Sequence, residues 1–252
     1  MRTSFQLYSA RDHVSLPATL ALLSDLGYTR VEGYGTLFDD LPALERGLKD
    51  TGLEMTSSHI GLDMLESDPD RAINTARSLG LEMVFAPFLA PEDRPQDAAG
   101  WQALAKRLSV VGSRMADAGI TFGWHNHEFE LMPLADGSVP LDVILEHAPN
   151  IAWQADLAWV ARADVDPRAV TERYLDRIVS LHVKDIAPIG ECLDEDGWAD
   201  PGKGSMPWDA LLATLGSART QPLYVAEHDK PSDTVRFAQN ARAFFVQHGA
   251  QS

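Results

Sequence analysis

Residues Trp124 to Glu130 read WHNHEFE, placing two histidines, an asparagine and two glutamates within seven positions. Imidazoles and carboxylates are the side chains that bind divalent ions and move protons near neutral pH. On a regular strand side chains alternate, so His125 and His127 share one face while Asn126 and Glu128 share the other. The segment can therefore supply only part of a site, and its partners must come from elsewhere. Five other short runs end in residues of the same kind. They are VEGY (Glu32, Tyr34), SSHIGLD (His59), WQADLAWV (Asp156), LHVKD (His182, Lys184) and VAEH (Glu227, His228). A mixed set of carboxylates and imidazoles suits Mn²⁺, Fe²⁺, Co²⁺ or Zn²⁺ better than Ca²⁺. No CxxC or HExxH pattern points to a structural zinc, and no GxSxG elbow points to a serine nucleophile. Lys184 shares a face with His182 and could hold a substrate oxygen or stabilise an enolate, or simply pair with Asp185 or Asp156.

These residues fall at the ends of eight runs with strand character: 4–8, 28–34, 53–60, 81–88, 120–127, 151–157, 178–186 and 222–228. Helical patterns lie between them. Over 98–118 the stripe is Trp101, Leu104, Leu108, Val111 and Met115, and over 233–247 it is Val235, Phe237, Ala241 and Phe244. Gly27, Gly52, Gly80 and Gly119 stand where a helix must end before a strand. Eight strand–helix units without a linker predict one α/β domain over residues 1–252, a single (β/α)8 TIM barrel. The other arrangement, an open doubly wound sheet, would show a Gly-rich phosphate loop after the first strand, and QLYSARD has none. In a barrel the site lies at the C-terminal ends of the strands, where the polar residues stand. Residues 194–208, DEDGWADPGKGSMPW, form a long connection that could cover the mouth, with Trp198 as a lid and Lys203 near substrate.

Composition bounds the function. The net charge of −16 argues against a nucleic-acid partner, which calls for a basic footprint. No run approaches 18 uninterrupted apolar residues, and the start lacks a signal-like apolar stretch, so no membrane role and a cytoplasmic location are expected. The single Cys192 cannot form an internal disulfide, in keeping with a reducing compartment.

QLYSARD, WHNHEFE, DLAWV, LHVKDI, DEDGWADPGKGSMPW and VAEHDKPSD together resemble the sugar phosphate isomerase/epimerase family of xylose isomerase-like TIM barrels, from about residue 5 to 245. That superfamily also holds inosose isomerases and dehydratases, ketose 3-epimerases and type IV apurinic endonucleases. The resemblance implies a carbohydrate substrate and one divalent metal, manganese foremost, with Co²⁺, Fe²⁺, Zn²⁺ or Mg²⁺ as substitutes. Asp156, His182 and Glu227 match three of its metal ligands, and His125 stands where isomerases carry a ligand glutamate. It implies isomerisation or epimerisation through a metal-stabilised enediolate, with Glu227 moving the proton, Lys184 nearby, and Glu128 or His127 as the second acid/base. Glu32, His59, Trp198 and Lys203 are then expected at the substrate, and a homodimer is compatible with such barrels.

His125 in place of glutamate is closer to the HHH strand of inosose dehydratases, so elimination of water from a keto-sugar or inosose is the alternative reaction. An abasic-site endonuclease would need further metals and a basic groove. A non-catalytic sugar binder has no need of the full Asp156, His182 and Glu227 set.

Overall fold

Eight short parallel strands close into a ring in the computed structural model, which describes residues 1–250. They are β1 (Arg2–Gln6), β2 (Arg30–Gly33), β3 (Glu54–His59), β4 (Met83–Ala86), β5 (Thr121–His125), β6 (Ala152–Asp156), β7 (Ile178–Val183) and β10 (Leu223–Ala226). A two-stranded antiparallel pair, β8 (Asp185–Ile186) and β9 (Trp198–Ala199), lies outside the ring. Around the barrel the order is β1, β10, β7, β6, β5, β4, β3, β2, every pairing parallel. The expected (β/α)8 barrel is the observed fold.

Among the described residues ten α-helices accompany the strands: α1 (Leu16–Asp25), α2 (Leu41–Thr51), α3 (Leu62–Ser67), α4 (Pro69–Leu79), α5 (Ala98–Asp117), α6 (Pro140–His147), α7 (Leu157–Arg162), α8 (Pro167–Tyr174), α9 (Trp208–Leu215) and α10 (Thr234–Gln247). The two predicted stripes face inward. Trp101, Leu104, Leu108, Val111 and Met115 of α5 are buried, as are Phe237, Ala241 and Phe244 of α10. Val235 is only half-buried. Gly27, Gly52, Gly80 and Gly119 all take positive φ, the left-handed geometry that closes a helix.

The first strand runs Arg2–Gln6 rather than 4–8. The Gln6 side chain accepts a hydrogen bond from Tyr8 N, turning the chain into a 3-10 segment and sending Tyr8 to the rim. The barrel interior is layered. Met83, Phe85, Leu223 and Val225 form a small apolar cluster apart from the large core under the helices. By strand alternation β10 then presents Glu227 just past its C-terminal end, while β4 presents Pro87. No helix among the described residues is long and apolar enough to cross a membrane.

Candidate active site

Strand register brings the chemistry together. Asp156 pairs with His182 across β6 and β7, His182 with Val225 across β7 and β10, and Glu227 follows two residues later, its N–H donating to Val183 O at 3.2 Å. Each side chain is then oriented by a separate device. Asp156 caps the short α7, its Oδ1 accepting from Ala158 N at 3.1 Å and Trp159 N at 3.0 Å, which leaves Oδ2 to face inward. Asn126 points away from the site, as alternation requires. It clamps β6 by accepting from Trp153 Nε1 and Asp156 N, both at 2.9 Å, and by donating to Asp156 O at 3.1 Å. Removing that amide would leave buried donors unpaired, at ~1–3 kcal/mol each.

Asp156 Oδ2 and His182 Nδ1 are buried without a hydrogen-bond partner, and Glu227 Oε2, equally buried, is met by Lys184 Nζ. All three converge within 4.8 Å of one another. His182 Nδ1 lies 3.8 Å from Asp156 Oδ2 and 3.9 Å from Glu227 Oε2. A tetrahedral ion with bonds of ~2.1 Å would separate its ligands by ~3.4 Å, so a small inward adjustment fits this donor set to a divalent metal. His125 does not complete that triad directly. It groups with His59 and His182, its ring 4.4 Å from that of His182, and its Nδ1 is also buried without a partner.

A cation already sits beside the triad. Lys184 Nζ lies 2.8 Å from Glu227 Oε2 and 3.6 Å from Asp156 Oδ2, and pairs with Asp229. It also stands over the rings of Trp198, at 4.1 Å, and Trp159, at 4.8 Å. Both readings of this lysine therefore meet: it is paired, though with Glu227, Asp229 and Asp156 rather than Asp185, and it still lines the cavity. Burial, with Asp229 close by, raises the Glu227 carboxyl above the usual range despite Lys184 and His182. Burial also opposes ionisation of Asp156, but Lys184 and His182 outweigh it and hold that carboxyl low. Burial works against a charged His182 too, yet the nearby Asp156 carboxylate and the bond to Glu32 carry it up to about 10. Burial drives His127 down to about 4 and His125 well below its ordinary value, so both rings are neutral.

Above these groups opens a cavity of about 410 Å³ lined by His59, His125, His127, His182, Lys184 and Glu227, with aromatic walls from Tyr8, Tyr34, Phe88 and Trp159. Not every expected residue reaches it. Glu128 is exposed at the start of a 3-10 turn and does not line the cavity, because the chain leaves the strand after His125. The second acid of the motif, Glu130, is the buried one. It accepts from Trp124 Nε1 at 3.0 Å and His127 N at 2.9 Å, and so shapes the turn that keeps His127 at the cavity. Glu32 is fully buried beneath His182 and away from the cavity wall.

Trp198 is not a lid. It is buried in β9, stacked edge-on against Trp159 with centroids 4.6 Å apart. Lys203 is exposed and outside the cavity lining. The glycines flanking it wrap the chain's own carboxylate: Asp185 accepts from Gly202 N, Met206 N and Ile186 N, each at 2.9 Å, and from Trp208 Nε1 at 3.2 Å. Glu195 and Asp200 tie the same loop to α10 through Arg236. His228 turns from the site, packing on Phe237 and accepting from Lys230 N. Asp229 was the residue missed; the period-two rule that joins His182 to Lys184 also joins Glu227 to Asp229.

Comparison with known proteins gives a consistent picture. The profile of a family described as Xylose isomerase-like TIM barrel matches residues 20–245. An inosose dehydratase of Geobacillus kaustophilus is 27% identical over 201 residues, covering 69% of this chain and 63% of that protein. The chain thus matches less than two thirds of that relative's length. A sugar phosphate isomerase/epimerase from Parabacteroides distasonis superposes with a TM-score of 0.79 at 21% identity, covering 96% of this chain and 93% of its own. The IolI protein with a bound zinc atom superposes at 0.74 and 16% identity, covering 98% and 97%. At such identities the two structures speak to the fold.

Proposed function

The chain belongs to the xylose isomerase-like TIM-barrel family, and from that premise we propose that it is a divalent-metal-dependent isomerase or epimerase of a keto-sugar or polyol ketone. The observation that carries this is a convergent set of buried ligand atoms, two of them without any hydrogen-bond partner, at one cavity. Asp156 Oδ2, His182 Nδ1 and Glu227 Oε2 converge, His182 and Glu227 line the cavity, and His127 Nδ1 has no hydrogen-bond partner on the same lining. Those three residues, with His125 beside them, would hold the ion. When bound, it would polarise a ketone and make the adjacent C–H acidic.

The chain's own groups then divide the work. Glu227 and His127 come from strands three places apart in a ring of eight, so they approach a substrate from nearly opposite sides. One takes the α-proton and the other returns one, which is what inversion or carbonyl migration requires. Glu128, being outside the cavity, leaves His127 as the second acid/base. Lys184 supplies positive charge beside the oxygen that becomes anionic. The aromatic walls hold the C–H faces of the sugar and exclude water.

A second reading, loss of water from the same substrate class, is favoured by His125 in place of a glutamate and by the inosose dehydratase relative. Keto-sugars incubated with the metal-loaded enzyme in deuterated water separate the two. Deuterium at the α-carbon with no change of composition supports isomerisation, whereas a product lighter by one water makes the enzyme a lyase. Metal analysis of the purified protein identifies the ion; absence of any tight divalent site would remove both readings.

A further inference from the structure

We propose that Glu32 is a positioning residue: it fixes the imidazole of His182 with its Nε2 protonated, so that Nδ1 is the atom offered to the site. The proposal rests on His182 being a metal ligand, but its core concerns a hydrogen-bond network that exists without one.

Glu32 is buried, and four donors from four other strands converge on it. Gln6 Nε2 and His182 Nε2 meet Oε1, each at 2.8 Å. Ser57 Oγ at 2.6 Å and Gln154 Nε2 at 2.8 Å meet Oε2. A carboxylate has about four acceptor positions, and here the protein fills them all. Nothing remains to bind substrate, which explains why Glu32 lies off the cavity wall.

The directions of the two amides are set by the bonds around them. Gln6 Oε1 accepts from Tyr8 N at 3.1 Å, so its NH₂ must face Glu32. The Gln154 NH₂ must face the acceptor-only Glu32 carboxylate, with Ser180 Oγ at 3.0 Å able to accept as well, so its oxygen faces His59 Nε2 at 2.6 Å. With both amides donating and the carboxylate able only to accept, the Nε2 of His182 must carry a proton as well. A nitrogen must be free of its proton to bind a metal, and only Nδ1 can be.

A second observation is independent of the side chains. The sheet register slips between Val31 and Glu32, and again between Trp153 and Gln154. Such irregularities re-aim side chains, and these two fall at a pair of fully buried residues bonded to each other. The barrel wall is bent where the network needs it.

Substituting glutamine at this position tests the idea, because one acceptor becomes a donor facing donors. Glu32→Gln should lower the affinity for Zn²⁺ by ~10–100-fold, the usual effect of losing a ligand's outer hydrogen bond. Ser57→Ala removes one bond but keeps the carboxylate, and should stay near wild type. Calorimetric titration with Zn²⁺ measures both, with thermal melting as the check on folding. Independently, ¹⁵N NMR of the wild-type imidazoles should show a slowly exchanging Nε2–H on His182, with or without zinc. Equal losses in the two variants, or an unprotonated Nε2, would overturn the proposal. If wild type binds no zinc, the metal reading falls while the Nε2–H signal still decides the role of Glu32. If Glu32→Gln does not fold, Glu32→Asp, which shortens the reach to His182, takes its place.

Discussion

At the scale of single residues, one motif splits into four jobs. His125 and His127 face the cavity, Asn126 clamps the neighbouring strand, Glu130 builds the turn, and Glu128 meets solvent. This division makes a sharp contrast. His127→Asn should lower kcat by ~10²–10⁴-fold, the range for a lost general acid/base. Because His127 is not in the converging triad, metal affinity by calorimetry should change little. Glu128→Ala should leave kcat and KM unchanged; a large loss there would mean that the loop closes over substrate and that Glu128, not His127, moves the proton. Alternation was enough to sort His125, His127, His182 and Lys184 from the sequence. It could not show that the strand stops at His125, since that depends on the Trp124 and His127 bonds to Glu130.

At the scale of elements, the connection after β7 has a structural task where a lid with Lys203 near substrate was expected. Its Gly-Lys-Gly turn closes on Asp185, and a Cβ at Gly204 would collide with Asp185 Oδ1 and Ile186 O. Gly204→Ala should therefore destabilise the protein by ~1–3 kcal/mol, as overpacking does, read as a drop in urea midpoint. Strand and helix periodicities were legible because burial imposes them directly, and α5 matches its predicted span to within a residue. The fate of residues 194–208 was not legible, because it is decided by long-range partners. Glu195 and Asp200 meet Arg236 some forty positions later, and no local pattern encodes that.

That anchoring gives the whole molecule an acid-sensitive component of stability. Burial opposes ionisation of Glu195, but bonds from Ser232 and Arg236 hold its pKa at about 2, below the ordinary 4.5. A depressed carboxylate pKa means that the unfolded chain takes up the proton first. The stabilisation is thus complete above pH 4.5 and is lost as pH falls through 4.5 toward 2. Melting temperature against pH should fall less steeply across that window in Glu195→Gln than in wild type, whatever the offset at neutral pH. Parallel curves would show that this ion pair contributes nothing.

The plug of Met83, Phe85, Leu223 and Val225 gives the barrel a shut end. If the cavity mouth is then the one way in, whatever enters last must leave first. The carboxylates and imidazole of the triad sit at the bottom, under the space a sugar would fill. On the proposed function a cation would go in first, and a seated sugar would bar its exit. Stripping of the metal by a chelator should accordingly slow as a non-reacting sugar analogue is added, in proportion to occupancy of the cavity. A stripping rate indifferent to the analogue would mean that the ion has a back way out.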